Sequence, residues 1–257
     1  MREGWAGWDE YAPFYDWENA QTLGRRDIGF WTRVAKGEGG RLLELGCGTG
    51  RLSVPLARAG NVVVGLDRSE PMLVRARKRA ATLTRRGGGR LTLVRGDIRQ
   101  LPFEANSFAM VLAPYGMLQS LLRDEDLRAT LGAAARVVQP GGLFGIDLVP
   151  DVPRWREYTG RTQLRGRAGR DTHLTLIESV RQKTHQRLTI FDQTYVVRHG
   201  GKSSRHRFEL RFRTLSVRQM TRRLERAGFA VEALLGDYRG RPWHDGAEAW
   251  IILARRA

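Results

Sequence analysis

One short segment combines glycines with an acidic residue in an order suited to holding a polar ligand. The apolar run from Leu42 to Leu45, which contains Glu44, leads directly into Gly46-Cys47-Gly48-Thr49-Gly50. Glycines let a backbone turn approach a ligand closely, and a helix that begins after such a turn presents free N–H groups to a negative group. The pattern therefore predicts a buried strand, a ligand-binding turn and a helix.

Two further acids follow the next two apolar runs. Asp67 comes after the run from Val62 to Leu66, and Asp97 after the run from Leu91 to Val94. A carboxylate at the end of the second strand can accept hydrogen bonds from a ribose diol. Because the carboxyl ends of parallel strands share one edge of a sheet, we expect both acids to face the same crevice as the glycine turn.

The elements that must position these residues form an α/β pattern. Short apolar runs alternate with helical stretches, which predicts a Rossmann-like, doubly wound, mostly parallel sheet covered by helices on both faces. The predicted strands are Leu42 to Leu45, Val62 to Leu66, Leu91 to Val94, Phe108 to Ala113 and Leu143 to Leu148. The predicted helices are Arg51 to Ala59, Pro71 to Arg86 and Glu125 to Val138.

After Pro150 the apolar residues alternate with polar ones, which indicates antiparallel strands with one apolar face. The alternating runs are Leu174 to Val180, Leu188 to Val197 and Arg207 to Leu215. A capping box at Ser216 and Gln219 then predicts a helix, followed by a terminal hairpin. We expect four parts: a helical cap (1–40), a ligand-binding core (41–153), an antiparallel insertion over the site or at a dimer interface (154–215) and the last helix with the hairpin (216–257).

The ordered motifs E-L-G-C-G-T-G, V-G-L-D, G-D-I and P-G-G, over about residues 40–150, resemble those of the class I S-adenosylmethionine-dependent methyltransferases. The resemblance implies a seven-stranded sheet, S-adenosylmethionine as cofactor and S-adenosylhomocysteine as product. It also implies that Gly46 to Gly50 pass under the methionine part and that Asp67 holds the ribose hydroxyls. Asp97 would accept from the adenine amino group, with Ile98 packing nearby.

Further residues are expected to line the same cofactor site. Tyr11 to Asp16 has the form Y-x-x-x-Y-D, which is similar to a segment that folds over the cofactor in small-molecule methyltransferases; the alternative is an amphipathic helix packed on the sheet. By this resemblance Tyr15 and Arg26 would close the site. The remaining expected cofactor-binding residues are Glu44, Cys47, Arg68, Met72 and Ala113.

Several other activities are disfavoured by single residues. A nicotinamide dinucleotide fold needs a third glycine where Arg51 stands. Leu112 replaces the asparagine of the N-P-P-Y motif found in methyltransferases acting on adenine or glutamine. Cys47 is the only cysteine and lies inside the turn, which disfavours covalent chemistry on cytosine C5. The five histidines have no paired spacing that would predict a metal site.

Two residues after the fourth strand are the candidates for catalysis. Tyr115 and Gln119 are expected to line the acceptor pocket, with ordinary loop packing as the alternative. The insertion resembles that of glycine and amino-sugar N-methyltransferases, which favours a small-molecule acceptor. The expected activity is methyl transfer to an N or O atom by direct displacement; the alternatives are an RNA methyltransferase and a non-catalytic, cofactor-binding regulator.

The chain has 257 residues and a formal net charge of +17. Residues 154–226 hold 19 Lys and Arg against 6 Asp and Glu, a net +13, which is the basis of the RNA alternative. The first thirty residues lack a signal-peptide pattern, and no apolar run approaches the roughly 20 residues of a membrane helix. We therefore expect a cytoplasmic monomer or homodimer without a membrane partner.

Overall fold

The computed structural model describes residues 7–22, 26–81, 83, 89–149 and 157–257. The strands are β1 (Arg41–Leu45), β2 (Val62–Asp67), β3 (Arg90–Arg95), β4 (Phe108–Ala113), β5 (Val138–Leu148), β6 (Tyr158–Arg167), β7 (Thr172–Lys183), β8 (Leu188–His199), β9 (Lys202–Arg213), β10 (Phe229–Leu235) and β11 (Trp250–Arg256). The helices are α1 (Trp8–Gln21), α2 (Arg26–Glu38), α3 (Ser53–Arg58), α4 (Glu70–Ala80), α5 (Asp124–Val137) and α6 (Val217–Arg226).

A seven-stranded sheet in the order β10-β11-β5-β4-β1-β2-β3 forms the core. The pairs among β1 to β5 are parallel, whereas β11 runs antiparallel to both β5 and β10. Strands buried on both faces read as continuous apolar runs, which is why the sequence pattern located them. The predicted α/β class and seven-stranded sheet are confirmed.

A separate four-stranded antiparallel sheet, in the order β6-β7-β8-β9, follows β5. The three strands predicted from alternation correspond to β7, β8 and β9. The sequence analysis missed β6, whose stretch carries Gly160 and Gly166 and leaves most of its side chains partly or fully exposed. An edge strand with so little apolar alternation has no clear period to detect.

The two N-terminal helices pack on different sheets. In α2, Trp31 is fully buried against the core sheet. A Cβ on Gly145 of β5 would lie 2.6 Å from the Trp31 ring, so this packing requires glycine at position 145. In α1, Tyr11 and Phe14 pack on the apolar face of the insertion, where Phe14 stacks on Tyr195 with ring centroids 4.4 Å apart. The N-terminal segment thus bridges the core sheet and the insertion.

Serine side chains cap the starts of two helices, and the second of these caps was predicted. Ser69 precedes α4 and accepts from the Met72 N–H at 3.3 Å, and Ser216 with Gln219 forms the capping box of α6. The predicted continuation of α4 to Arg86 falls mostly on residues 82 and 84–88, which lie outside the described residues. The predicted boundaries of the four parts stay predictions. Within the described residues, no helix is long and apolar enough to span a membrane.

Candidate active site

The glycine turn after β1 has a conformation that requires glycine. Gly46, Gly48 and Gly50 all have positive φ angles, of 66°, 51° and 72°. A Cβ on Gly46 would also fall 2.8 Å from Cγ of Met117, on the opposite wall of a cleft. Both the turn and the width of this cleft therefore depend on the missing side chains.

Asp67, the last residue of β2, fixes the turn to the next helix. Its Oδ2 accepts from the Gly48 N–H at 2.8 Å, and its Oδ1 accepts from the Ser69 N–H at 2.9 Å. Burial raises the pKa of this carboxyl, although the backbone N–H donors oppose the shift. The half-buried carboxylate lines the cleft, where it can accept from a ligand hydroxyl.

Glu44 on β1 presents a second carboxyl to the same cleft. The side chain is buried, and its Oε2 accepts from the Ser53 hydroxyl. Burial raises the pKa of Glu44 to about 8, and the nearby Arg51 only partly offsets this. The high pKa means that the neighbouring groups do not fully compensate the charge of the ionised carboxylate. A cationic ligand group beside Glu44 would supply that compensation and would be stabilised in turn.

Arg51 and Asp27 form a buried ion pair behind the turn, which the sequence analysis did not predict. Nη1 and Nη2 of Arg51 donate to Oδ1 and Oδ2 of Asp27 at 2.8 and 2.6 Å, and the Asp27 side chain is 0% exposed. The guanidinium also lies 5.2 Å from the centroid of the Tyr115 ring. Arg51, which the sequence analysis considered only as a position without the third glycine of a dinucleotide fold, therefore has a structural role. The sequence signal was an arginine directly after the turn, but its partner lies on a separate helix.

Asp97 and Ile98 also line the cleft. Both carboxylate oxygens of Asp97 already accept from the Arg99 side chain, with the shortest contact 2.6 Å from Nη2 to Oδ2. These hydrogen bonds hold the pKa of Asp97 below its ordinary value. Asp97 is therefore an ionised, oriented acceptor at the end of the cleft remote from Glu44.

Aromatic side chains form part of the wall of the cleft. Tyr15 of α1 is half-buried and lines the cleft opposite the glycine turn, where a Cβ on Gly48 would lie 3.9 Å from its ring. Tyr115 has a φ of +62°, and burial raises its pKa to about 12. The loop is held by Asp147, whose Oδ1 accepts from the Gly116 N–H at 3.0 Å. The tyrosine hydroxyls are thus kept protonated in a desolvated wall.

Some predicted residues lie elsewhere. Arg26 is exposed at the first residue of α2 and does not line the cleft, because the helix turns its neighbour Asp27 inward toward Arg51. Ala113 is fully buried in β4, directly before the cleft residue Pro114. Cys47, Arg68 and Met72 line the cleft, whereas Gly50 contributes only turn geometry. Burial raises the pKa of the Cys47 thiol.

Gln119, predicted as catalytic, joins two backbone segments. Its Nε2 donates to the carbonyls of Val149 and Arg213 at 3.2 and 3.3 Å, and its Oε1 accepts from the Val149 N–H at 2.8 Å. These bonds connect the loop after β4 to the ends of β5 and β9. The amide is therefore engaged on both sides, which favours a structural role.

A second cavity opens beside the cleft, between α1, the insertion and the loop after β4. The cleft measures about 1090 Å³ and the second cavity about 1390 Å³, both including the part open to solvent. Four aromatic residues line both spaces: Trp8, Tyr15, Tyr115 and Phe212. Two ligands can therefore lie side by side across this aromatic boundary.

The comparisons with known proteins agree with this arrangement. Residues 42–142 match the family described as "Methyltransferase domain". Residues 42–142 therefore carry a methyltransferase domain, on a seven-stranded sheet with five parallel strands. The cypemycin N-terminal methyltransferase of a Streptomyces species is 27% identical over 219 residues, covering 85% of this chain and 84% of that protein.

Other methyltransferases match over different lengths. The sterol 24-C-methyltransferase erg6 of Schizosaccharomyces pombe is 28% identical over 60% of this chain, which spans only 42% of that protein. The solved structure of the sugar N-methyltransferase KedS8 from a Streptoalloteichus species has a TM-score of 0.76 at 16% identity, covering 95% of this chain and 93% of that one. The likeness to KedS8 concerns the fold alone.

The cleft fits S-adenosylmethionine, the cofactor that the sequence motifs imply. S-Adenosylmethionine carries an ammonium, a carboxylate and a sulfonium at one end, a ribose diol in the middle and an adenine at the other. The cleft offers the buried Glu44 carboxyl, the half-buried Asp67 carboxylate and the Asp97 carboxylate at the ends of successive strands. These carboxyl groups are acceptors, which suits the ammonium, the ribose hydroxyls and the adenine amino group.

Proposed function

We propose that this methyltransferase transfers a methyl group from S-adenosylmethionine to an N or O atom of a small molecule held in the second cavity. The observation that carries the proposal is the shared aromatic wall, since Trp8, Tyr15, Tyr115 and Phe212 line both the cofactor cleft and that cavity. A direct displacement needs the two reactants on either side of such a boundary.

On the cofactor side, we infer one role for each carboxylate. Glu44 would hold the ammonium of the methionine part, Asp67 the ribose hydroxyls and Asp97 the adenine amino group. The bound cofactor supplies an electrophilic methyl group on its sulfonium. The protein's task is then alignment of the acceptor lone pair and exclusion of water, because no strong base is required for an amine acceptor.

On the acceptor side, the aromatic wall would keep the reacting atoms dry. Tyr15 and Tyr115 stay protonated because burial raises the pKa of both hydroxyls. They can therefore orient an acceptor by hydrogen bonds without taking its proton. A protonated amine acceptor would first release its proton to solvent and attack as the neutral amine, whereas a hydroxyl acceptor would need a base.

The RNA alternative is weakened by how the insertion uses its arginines. Arg181 pairs with Asp192 at 2.6 Å and with Glu209 at 3.1 Å, and Arg211 also pairs with Glu209 at 2.6 Å. Part of the basic charge is thus neutralised within the sheet. The second cavity, by contrast, is a partly open space of small-molecule size lined by apolar, aromatic and polar side chains.

A labelling experiment tests the proposal. The protein is incubated with methyl-labelled S-adenosylmethionine and either a metabolite extract or total RNA, and the label is followed into the low-molecular-weight and RNA fractions. Label in the metabolite fraction, reduced by the substitution Asp67→Ala, is the expected result. Label in RNA would replace the proposal by the RNA alternative, and cofactor binding without any transfer would favour the regulator.

A further inference from the structure

Two carboxylates occupy the second cavity, away from the cofactor cleft. Glu18 of α1 and Glu178 of β7 both line it. Nε2 of Gln193 donates to Glu18 Oε1 at 3.2 Å and to Glu178 Oε2 at 2.8 Å, so the two carboxylates share one amide NH2 group. Glu178 is only 8% exposed. Two acids this close in a desolvated place repel each other, which contributes to the raised pKa of Glu18.

Tyrosines surround this pair and supply neutral donors only. The hydroxyls of Tyr11 and Tyr195 donate to Glu18 Oε2, and the hydroxyl of Tyr158 donates to Glu178 Oε1. These bonds orient both carboxylates but bring no positive charge. Among the ion pairs formed by the described residues, none involves Glu18 or Glu178.

Among the described residues, the one cationic residue that lines the cavity is engaged elsewhere. Arg213 donates from Nη2 to Asp124 Oδ1 at 2.6 Å, and from Nη1 to the Leu121 carbonyl at 3.4 Å. In the part of the chain that the structure describes, the other ionisable groups that line this space are phenols: Tyr11, Tyr15, Tyr115 and Tyr158. The wall therefore carries an excess of negative charge whenever both glutamates are ionised.

Two buried amide oxygens in the same wall have no hydrogen-bond partner. Gln193 is 3% exposed and its Nε2 must face the two carboxylates, which fixes its orientation and leaves Oε1 without a donor. Asn19 is 4% exposed and donates from Nδ2 to the Tyr15 carbonyl at 2.8 Å, which leaves Oδ1 without one. Unsatisfied buried acceptors are rare, and both belong to side chains that line this cavity, so they add to the acceptor character of its wall.

We propose that the second cavity binds a protonated amine between Glu18 and Glu178, so that the acceptor of this methyltransferase is a small molecule carrying a basic amino group. Carboxylates and amide oxygens are all acceptors, and an alkylammonium is both cationic and rich in N–H donors. The apolar residues Leu164, Leu176 and Leu210 of the same wall would contact the carbon skeleton of the ligand. This inference rests on the proposed function and specifies its substrate class.

The test compares two probes of equal shape, cyclohexylamine and cyclohexanol, by calorimetry on the full chain saturated with S-adenosylhomocysteine. The amine should bind at least about tenfold more tightly than the alcohol, the ratio expected for one charge-assisted hydrogen bond. Glu18→Gln and Glu178→Gln should each remove most of this preference. Glu225→Gln, which changes an exposed carboxylate on α6, is the matched control and should keep it.

Each outcome separates the two proposals. Both variants must retain the wild-type affinity for S-adenosylhomocysteine, which shows that they are folded. If one variant does not fold, the other is used for the test. The preference of the wild type for the amine over the alcohol is measured in either case. Equal binding of both probes to the wild type, or an unchanged preference in a folded glutamate variant, would overturn the amine site. Transfer of label only to compounds that have hydroxyl groups and no amine would also overturn the amine site, but it would leave the methyltransferase proposal in place. Absence of S-adenosylhomocysteine binding would instead remove the proposed function.

Discussion

The guanidinium of Arg51 lies 5.2 Å from the centroid of the Tyr115 ring and is at the same time doubly hydrogen-bonded to Asp27. One side chain thus connects the end of the glycine turn, the helix α2 and the aromatic wall between the two cavities. Because Asp27 is fully buried, the geometry of this wall depends on a paired charge in the interior.

Removing Arg51 should therefore destabilise the fold. Arg51→Met leaves the Asp27 carboxylate buried and unpaired, and the expected loss in the free energy of unfolding is about 3–5 kcal/mol. Urea denaturation followed by circular dichroism measures it. The double variant Arg51→Met with Asp27→Leu removes both charges and should recover much of the loss. A single variant as stable as the wild type would mean that Asp27 has another source of compensation.

Asp67 should be the residue on which cofactor affinity depends most directly. Asp67→Ala removes the acceptor of the Gly48 and Ser69 N–H groups as well as the proposed ribose contact. We expect S-adenosylhomocysteine binding to weaken by about 1–3 kcal/mol in calorimetry. Glu70→Ala, which removes a carboxylate paired with Arg77 on the surface of α4, serves as control. An unchanged affinity in Asp67→Ala would place the ribose contact elsewhere.

The high pKa of Glu44 predicts a pH-dependent stability of the ligand-free protein. Its pKa is about 8 in the folded state against an ordinary value of 4.5, so between these values the folded state holds a proton that the unfolded state has lost. The contribution of Glu44 to the free energy of unfolding is therefore largest below about pH 4.5, and it falls as the pH rises to about 8.

The substitution Glu44→Gln should remove this dependence. The melting temperature of the variant relative to wild type should rise by at least roughly 3 °C between about pH 5 and pH 8.5. Differential scanning fluorimetry without cofactor provides the measurement, and Glu225→Gln should show a flat difference. A flat difference for Glu44→Gln as well would show that the carboxyl is ionised throughout this range.

The basic insertion should not bind RNA tightly at physiological salt. A protein that contacts phosphates loses affinity with salt, with a log–log slope near −0.7 per contacted phosphate on single strands. Filter binding to single-stranded RNA between about 50 and 300 mM salt should show no submicromolar affinity near about 150 mM. The triple variant Arg198→Ser, Arg205→Ser, Arg207→Ser changes exposed residues of β8 and β9 and is the comparison. Tight binding that this variant abolishes would favour the RNA alternative.

The sequence by itself determined the elements whose signals are local. The strand before the glycine turn, the acids that end β2 and follow β3, and the capping box of α6 each depend on residues within a few positions of one another. Parallel strands then bring their carboxyl ends to one edge, so Asp67 and the turn meet without further information. The core sheet and cofactor cleft followed from these rules.

Only the tertiary structure decided which distant side chains meet. The pairs Arg51 with Asp27 and Glu18 with Glu178 join different elements, and each member alone reads as an ordinary polar residue of a helix or strand. Alternation with period two predicts that a strand has one apolar face, but it does not say which element covers that face. In the folded protein α1 covers that face. This packing also places the carboxylates of Glu18 and Glu178 in the cavity beside the cofactor cleft.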